Sequence, residues 1–149
     1  YALKGAVVME KVTEATIQVR YHETDKMGIV HHANYIKWFE IGRTDWLREK
    51  GVTYRTVEEK GFFLPVLGVT CQYKKSAYYD DWITIKTEVS EYTGTRITFS
   101  YRVYRGEELL ASGSTSHCWT NHQLKPLNLK KAWPELHHLL VQYRADRAN

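Results

Sequence analysis

The most constraining feature of the sequence is one long, aromatic segment with helical periodicity, in a chain whose other segments mostly resemble strands. Within residues 33–50, Tyr35, Phe39, Gly42 and Trp46 recur every three or four residues, which is the spacing of one face of an α-helix. Further apolar residues flank this face, so the hydrophobic surface is too broad for a helix that lies flat on one layer. We therefore expect a central helix that a sheet wraps, with Gly42 allowing a strand to approach closely.

Alternating apolar and polar residues predict strands on both sides of this helix. In the first strand, Ile17, Val19 and Tyr21 are predicted to share the buried face. The predicted strands are 15–22, 63–74, 82–89, 95–105 and 108–121. Short turns that contain glycine join the last three, which favours antiparallel hairpins. The fold class predicted from this order is α+β, with one antiparallel sheet covering the long helix.

Two shorter helices complete the predicted fold. Thr56 and Glu59 have the spacing of a capping box, which favours a short helix ending near Gly61. A last helix is predicted to begin near Pro134, since proline is favoured in the first turn of a helix. We expect a single domain over residues 1–149, with its core at about 13–143. Because residue 1 is Tyr, we expect Met9 to be the natural start and residues 1–8 to be an added segment.

Composition and charge exclude several classes of protein. No run of 18 apolar residues exists, so no membrane span is predicted. Two cysteines are too few for a disulfide scaffold, so we expect reduced thiols and a cytoplasmic location. The net charge of +4 favours an anionic ligand, but the basic residues are scattered, which argues against nucleic-acid binding.

A short polar stretch immediately before the long helix carries the candidate functional residues. It runs "RYHETDKMGIVHHANYIKWFE" and places Asp25, His31 and His32 ahead of the first helical turn. The unpaired N–H groups of a helix N-terminus attract anions and polarised carbonyls. The residues alone are compatible with either a helix cap or an active site, and they contain no spacing typical of a metal site.

This stretch and the segments after it resemble the 4-hydroxybenzoyl-CoA thioesterase branch of the hotdog-fold acyl-CoA thioesterases. The resemblance covers roughly residues 15–121 and is spread over many positions, which makes it specific. The motif positions are Tyr21, Glu23, Asp25, Gly28, Val30, His32 and Tyr35. The resemblance implies a hotdog fold, in which a long central helix is wrapped by a curved antiparallel sheet. It also implies homodimers or homotetramers that join sheet edges and place the active site at the dimer interface.

The resemblance assigns thioester hydrolysis to this stretch. It makes Asp25 the catalytic carboxylate, as nucleophile or general base. A backbone N–H near His32 or Ala33 would polarise the carbonyl. The His32 side chain either orients the substrate or Asp25, or is an ordinary polar residue of the first turn. Gly28 lets the loop approach the substrate, and no metal or cofactor is required. The candidate walls of the acyl pocket are Ile29, Val30 and Tyr35.

The expected substrate is an acyl-CoA. A charge argument alone makes four residues candidate partners for the CoA phosphates: Lys74, Lys75, Arg96 and Arg102. Two alternatives remain, an acyl-carrier-protein thioesterase and a non-catalytic hotdog dimer that binds acyl thioesters. The carboxylate of Asp25 argues against the second, because an acid beside a ligand carbonyl is a poor binding contact.

Overall fold

The computed structural model describes residues 10–145. Its helices are α1 (Asn34–Glu49), α2 (Tyr54–Glu59), α3 (Leu129–Ala132) and α4 (Pro134–Tyr143). Its strands are β1 (Thr13–Gln18), β2 (Phe62–Phe63), β3 (Val66–Tyr73), β4 (Trp82–Tyr92), β5 (Arg96–Arg105), β6 (Glu108–Cys118) and β7 (Thr120–Asn121). The expected start at Met9 and the added segment 1–8 lie outside the described residues.

Five strands form one antiparallel sheet in the order β1-β4-β5-β6-β3, while β2 and β7 form a separate pair. The strands β1 and β3 are therefore the two edges of the sheet. This is the α+β arrangement predicted from the order of elements. Among the described helices, none is long and apolar enough to cross a bilayer. Cys71 and Cys118 are free thiols.

The aromatic face of α1 packs against one face of the sheet. Trp38, Phe39 and Trp46 are fully buried, and the Phe39 ring stacks on Tyr101 of β5 with centroids 4.4 Å apart. The burial of such large side chains supplies most of the driving force that holds a helix on a sheet. The close approach predicted at Gly42 is present, and it involves side chains of β4 rather than a strand backbone.

The first strand is shorter than the alternation predicts. It ends at Gln18, and Tyr21–Glu23 form a 3₁₀ turn, so the prediction that Tyr21 faces the core is wrong: it is 76% exposed. The tertiary cause is that Val19 exchanges backbone hydrogen bonds with the turn at residues 80–81. The alternation continues past Gln18 in the sequence, but the pairing of β1 with β4 ends at Gln18 and Trp82, and no other strand of the described residues takes its place.

Two further boundaries differ from the prediction. The cap of α2 is Thr53, whose hydroxyl accepts the Thr56 backbone N–H at 3.1 Å, so Thr56 lies inside the helix and is not its cap. The long strands predicted at 63–74 and 108–121 are each divided in two, because β2 pairs with β7 outside the main sheet. Periodicity does not reveal such a change of partner.

A buried polar cluster lies where α1 crosses β5 and β6. It consists of Arg43, Tyr101, Thr115 and His117. The Thr115 hydroxyl is hydrogen bonded to the Tyr101 hydroxyl and, at 2.8 Å, to His117 Nε2. Burial, followed by the positive charge of Arg43, lowers the pKa of His117 from its usual 6.5 to about 4. The imidazole is therefore neutral at physiological pH.

We expect Gly42→Ala to destabilise the protein. A Cβ at this position would lie 2.2 Å from Thr87 Oγ1 and 3.0 Å from Ile85 Cγ2, in a region where both neighbours are buried. Overpacking of a core costs about 1–3 kcal/mol, which exceeds the gain of up to about 1 kcal/mol in helix propensity. Urea unfolding measures the change. The control is Lys37→Ala, an exposed position of the same helix; equal stability of the two variants would contradict the close packing.

We also expect His117 to make the fold acid-labile. Its folded-state pKa of about 4 lies below the unfolded value of 6.5, so the unfolded chain binds the proton more tightly between these values. Stability is therefore lost as the pH falls through this window, by roughly 2 kcal/mol between pH 7 and pH 5. His117→Asn should flatten this part of the stability profile measured by urea unfolding at each pH. An unchanged slope would show that other groups cause the acid sensitivity.

Candidate active site

The candidate site is built on the loop between β1 and α1, which a buried carboxylate fixes in place. Glu23 is only 3% exposed. Its carboxylate accepts hydrogen bonds from the Trp38 indole at 2.9 Å and from the Arg20 backbone N–H at 2.8 Å. Its backbone carbonyl accepts from the His31 backbone and from the Asn34 side chain, both at 2.8 Å. One residue therefore joins the start of the loop to its end and to the first turn of α1.

Asp25 lies at the tip of this loop, in a tight turn. Its backbone N–H donates to the Ile29 carbonyl, and its own carbonyl accepts from Gly28 N–H. Gly28 has φ of +80°, a conformation that a residue with a side chain rarely adopts. Asp25 Oδ1 accepts from Met27 N–H at 2.8 Å. Among the described residues nothing donates to Asp25 Oδ2, which leaves this oxygen available to a ligand.

Counting only the described residues, the N-terminus of α1 offers one backbone donor without a partner. The N–H of Ala33 donates to His31 Nδ1 at 3.2 Å, and the N–H groups of Asn34 and Tyr35 donate to carbonyls one turn back. Within residues 10–145 no acceptor for the His32 N–H is present. The sequence analysis named the backbone N–H of His32 or Ala33 as the donor to the substrate carbonyl. Of these two groups, only the His32 N–H lacks an acceptor among the described residues.

Asp25 and His32 line one cleft of about 320 Å³. The other residues that line it are Met27, Ile29, Val30, Tyr35, Tyr73, Lys74, Lys75 and Ser76. The cleft therefore brings together the predicted carboxylate, the start of α1, all three residues predicted to form the acyl-pocket walls and two of the predicted basic residues. Gly28 instead lines a neighbouring cleft with Tyr21 and Tyr79, and Asp25 borders both.

Tyr73, at the end of the edge strand β3, is a cleft residue that the sequence analysis missed. Its hydroxyl donates to the His32 carbonyl at 3.0 Å, and its ring makes edge contacts with Tyr35 and His32. Partial burial, followed by hydrogen bonding to Cys71, raises the pKa of Tyr73 to about 12. The phenol therefore stays protonated and remains a donor. The one indication of this role in the sequence is that Tyr73 precedes Lys74 and Lys75 at the end of a predicted strand.

The four basic residues grouped by charge lie in different places. Lys74 and Lys75 border the cleft, and Lys75 Nζ is 2.8 Å from a carboxylate oxygen of Glu108. Among the described residues, Lys74 makes no ion pair. Arg96 begins β5 opposite Cys118, and Arg102 lies on the outer face of the sheet beside Ser100 and Ser112; neither borders the cleft. In the described part of the chain no three His, Cys, Asp or Glu side chains could hold a metal ion.

Known thioesterases are similar to this chain in sequence and in fold. The family model of the thioesterase-like superfamily matches residues 19–138. The putative acyl-CoA thioesterase YneP of Bacillus subtilis is 38% identical over 128 residues, covering 85% of this chain and 93% of that protein. The acyl-CoA thioesterase YbgC of Haemophilus influenzae is 33% identical over 126 residues, covering 83% and 93%.

A solved structure shares the fold. The DHNA-CoA thioesterase of Staphylococcus aureus superimposes with a TM-score of 0.85 at 33% identity, covering 88% of this chain and 89% of that one. The predicted fold class and the predicted resemblance are thus confirmed. The chain belongs to the thioesterase-like superfamily and is a hotdog-fold thioesterase.

Proposed function

We propose that this enzyme hydrolyses acyl-CoA thioesters at the cleft beside Asp25. The observation that carries the proposal is that Asp25 and His32 line the same cleft, while among the described residues Asp25 Oδ2 and the His32 backbone N–H have no hydrogen-bond partner. A thioester needs only an oxygen nucleophile and a donor for the developing oxyanion. The names of the relatives, which include acyl-CoA thioesterases, support the same substrate class.

In this proposal, Asp25 is either the nucleophile or the general base that activates a water molecule. Its carboxylate either attacks the carbonyl carbon, giving a mixed anhydride that water then hydrolyses, or takes a proton from the water that attacks. In both routes the C–S bond breaks, the sulfur leaves as a thiolate that gains a proton, and the acyl group ends as a carboxylic acid. The hydrogen bond from Met27 N–H to Oδ1 orients the carboxylate and leaves Oδ2 for the reaction.

The backbone N–H of His32 holds the carbonyl oxygen. As the carbonyl carbon becomes tetrahedral, negative charge develops on this oxygen, and a fixed donor at a helix N-terminus stabilises it. Loss of one such donor typically costs on the order of 10²–10³ in rate. Tyr73 supports this geometry because its hydroxyl bonds the carbonyl of the same residue.

The edges of the cleft suggest how the rest of the substrate binds. Ile29, Val30 and Tyr35 form an apolar wall for the acyl group. Lys74 is the stronger candidate for a CoA phosphate, since Lys75 is engaged by Glu108. Arg96 and Arg102 of the same chain do not border this cleft, so the proposal assigns them no contact with the substrate bound there.

We expect a homodimer or homotetramer. The edge strand β3 exposes Val66, Leu67, Val69 and Tyr73, and an unpaired edge with apolar side chains is rarely left uncovered. Sedimentation velocity at micromolar concentration should give a dimer or a larger even assembly. Val69→Lys, which places a charge on this edge, should shift the distribution towards monomer, whereas Lys86→Glu on β4 should not. A wild-type monomer would contradict this expectation.

We expect Asp25→Asn to lower kcat by roughly 10² or more, because it removes the charge and basicity of the group. Asparagine retains an oxygen that can accept the Met27 N–H, so the thermal midpoint and the Kd of an unreactive CoA analogue should stay similar. Thiol release from acyl-CoA measures kcat, and the same assay with an acyl-carrier-protein thioester tests the alternative carrier.

Asp45→Asn is the matched control for this substitution. Asp45 pairs with Arg48 on the surface of α1, so the same chemical change there should leave kcat within about twofold of wild type. If Asp25→Asn hydrolyses acyl-CoA as fast as the wild type, Asp25 is a loop residue and the proposed mechanism is wrong.

A further inference from the structure

A second loop contacts the chain on either side of the turn that carries Asp25. Residues 74–81 connect β3 to β4, and we call them the supporting loop. The Ala77 carbonyl accepts the Val30 N–H at 2.8 Å, and Tyr78 forms a β-bridge with Ile29. At its other end, the Asp81 carbonyl accepts the Val19 N–H at 2.9 Å. The supporting loop therefore contacts the chain just before and just after the turn that carries Asp25.

The side chain of one residue at the end of a sheet strand forms hydrogen bonds with the supporting loop. Arg105, the last residue of β5, donates from Nη1 to Asp81 Oδ2 at 2.7 Å and to the Ser76 carbonyl at 3.1 Å. Its Nη2 bonds Glu108 across the β5–β6 hairpin. The planar guanidinium can bind three acceptors at fixed angles, which a lysine ammonium does less well.

A short series of backbone contacts connects Arg105 to Asp25, the proposed catalytic group. Ser76 precedes Ala77, whose carbonyl holds Val30. Ile29, the residue before Val30, accepts the Asp25 N–H at 2.9 Å. Asp81, the other partner of Arg105, also accepts the Tyr78 N–H at 2.9 Å. Arg105 thus fixes both halves of the supporting loop without bordering the cleft itself.

We propose that Arg105 is a positioning residue for thioester hydrolysis, which holds the supporting loop so that Ala77 and Tyr78 keep the Asp25 turn in its reactive geometry. The proposal rests on the proposed function in that Asp25 is the group being positioned. It predicts a loss of kcat rather than of substrate binding. Arg105 does not line the cleft, and the backbone of Lys74 and Lys75, which do line it, is held separately by the Leu110 carbonyl. A displacement of about 1 Å at a reacting group can cost on the order of 10² in rate.

The kinetic test compares Arg105→Met with Arg105→Lys. We expect kcat to fall about tenfold to a hundredfold in Arg105→Met and less in Arg105→Lys, while the Kd of an unreactive CoA analogue stays within about twofold. The control is Arg55→Met, which also removes an arginine and its ion pair, with Glu59 on α2, and should not change kcat. A rise in Kd with unchanged kcat would overturn the proposal.

A double-mutant cycle separates positioning from general stability. If Arg105 acts through Asp25, Arg105→Met should change the residual rate of Asp25→Asn by less than about threefold. Equal losses in both backgrounds would overturn the proposal. If Arg105→Met does not fold, Arg105→Lys takes its place in the cycle and decides the question.

Hydrogen exchange gives a readout that needs no activity. Loss of the Arg105 contacts should speed amide exchange of Val30 and Asp25 in the folded protein, with β4 and β5 unchanged. Unchanged exchange at these amides would overturn the inference even if Asp25 proves catalytic. Conversely, faster exchange in the variant of a wild-type protein that hydrolyses no thioester would reject the proposed function alone, because Arg105 would still be shown to restrain the Asp25 turn.

Discussion

The hydrogen bonding of the buried Glu23 carboxylate is the interaction on which the rest of the site depends. A carboxylate removed from water is tolerated only when hydrogen bonds satisfy it, and the donors here come from Trp38 and the Arg20 backbone. These bonds fix the turn that ends β1 against the aromatic face of α1. The position of Asp25, two residues later, depends on this fixed point together with the tight turn at Gly28.

Packing of the hydrophobic core determines the geometry of the candidate site. Stacking of Phe39 on Tyr101 and the close contact at Gly42 set the position of α1 against the sheet. This position brings the start of α1 to the end of β3, where the Tyr73 hydroxyl reaches the His32 carbonyl. A change in core packing would therefore shift the proposed oxyanion donor relative to Asp25.

The sequence allowed much of the candidate site to be predicted, because its residues lie close together in one segment. Asp25, Ile29, Val30 and His32 fall within eight residues and all border the same cleft. Tyr73 was missed, since it comes from a distant strand. Arg96 and Arg102 were grouped with the lysines by charge alone, and charge carries no information on which face or end of a sheet a residue occupies.

By itself, the sequence determined the aromatic helix, the antiparallel hairpins and the polar stretch before the helix, because periodicity and turn residues act over a few neighbouring positions. Only the tertiary structure decided where β1 ends, which strands form the edges, and which backbone N–H stays unpaired. Those outcomes depend on contacts between residues far apart in the chain, such as Val19 with Asp81 and Arg105 with Ser76. Local pattern does not encode such contacts, since they arise only when packing of the core brings the segments together.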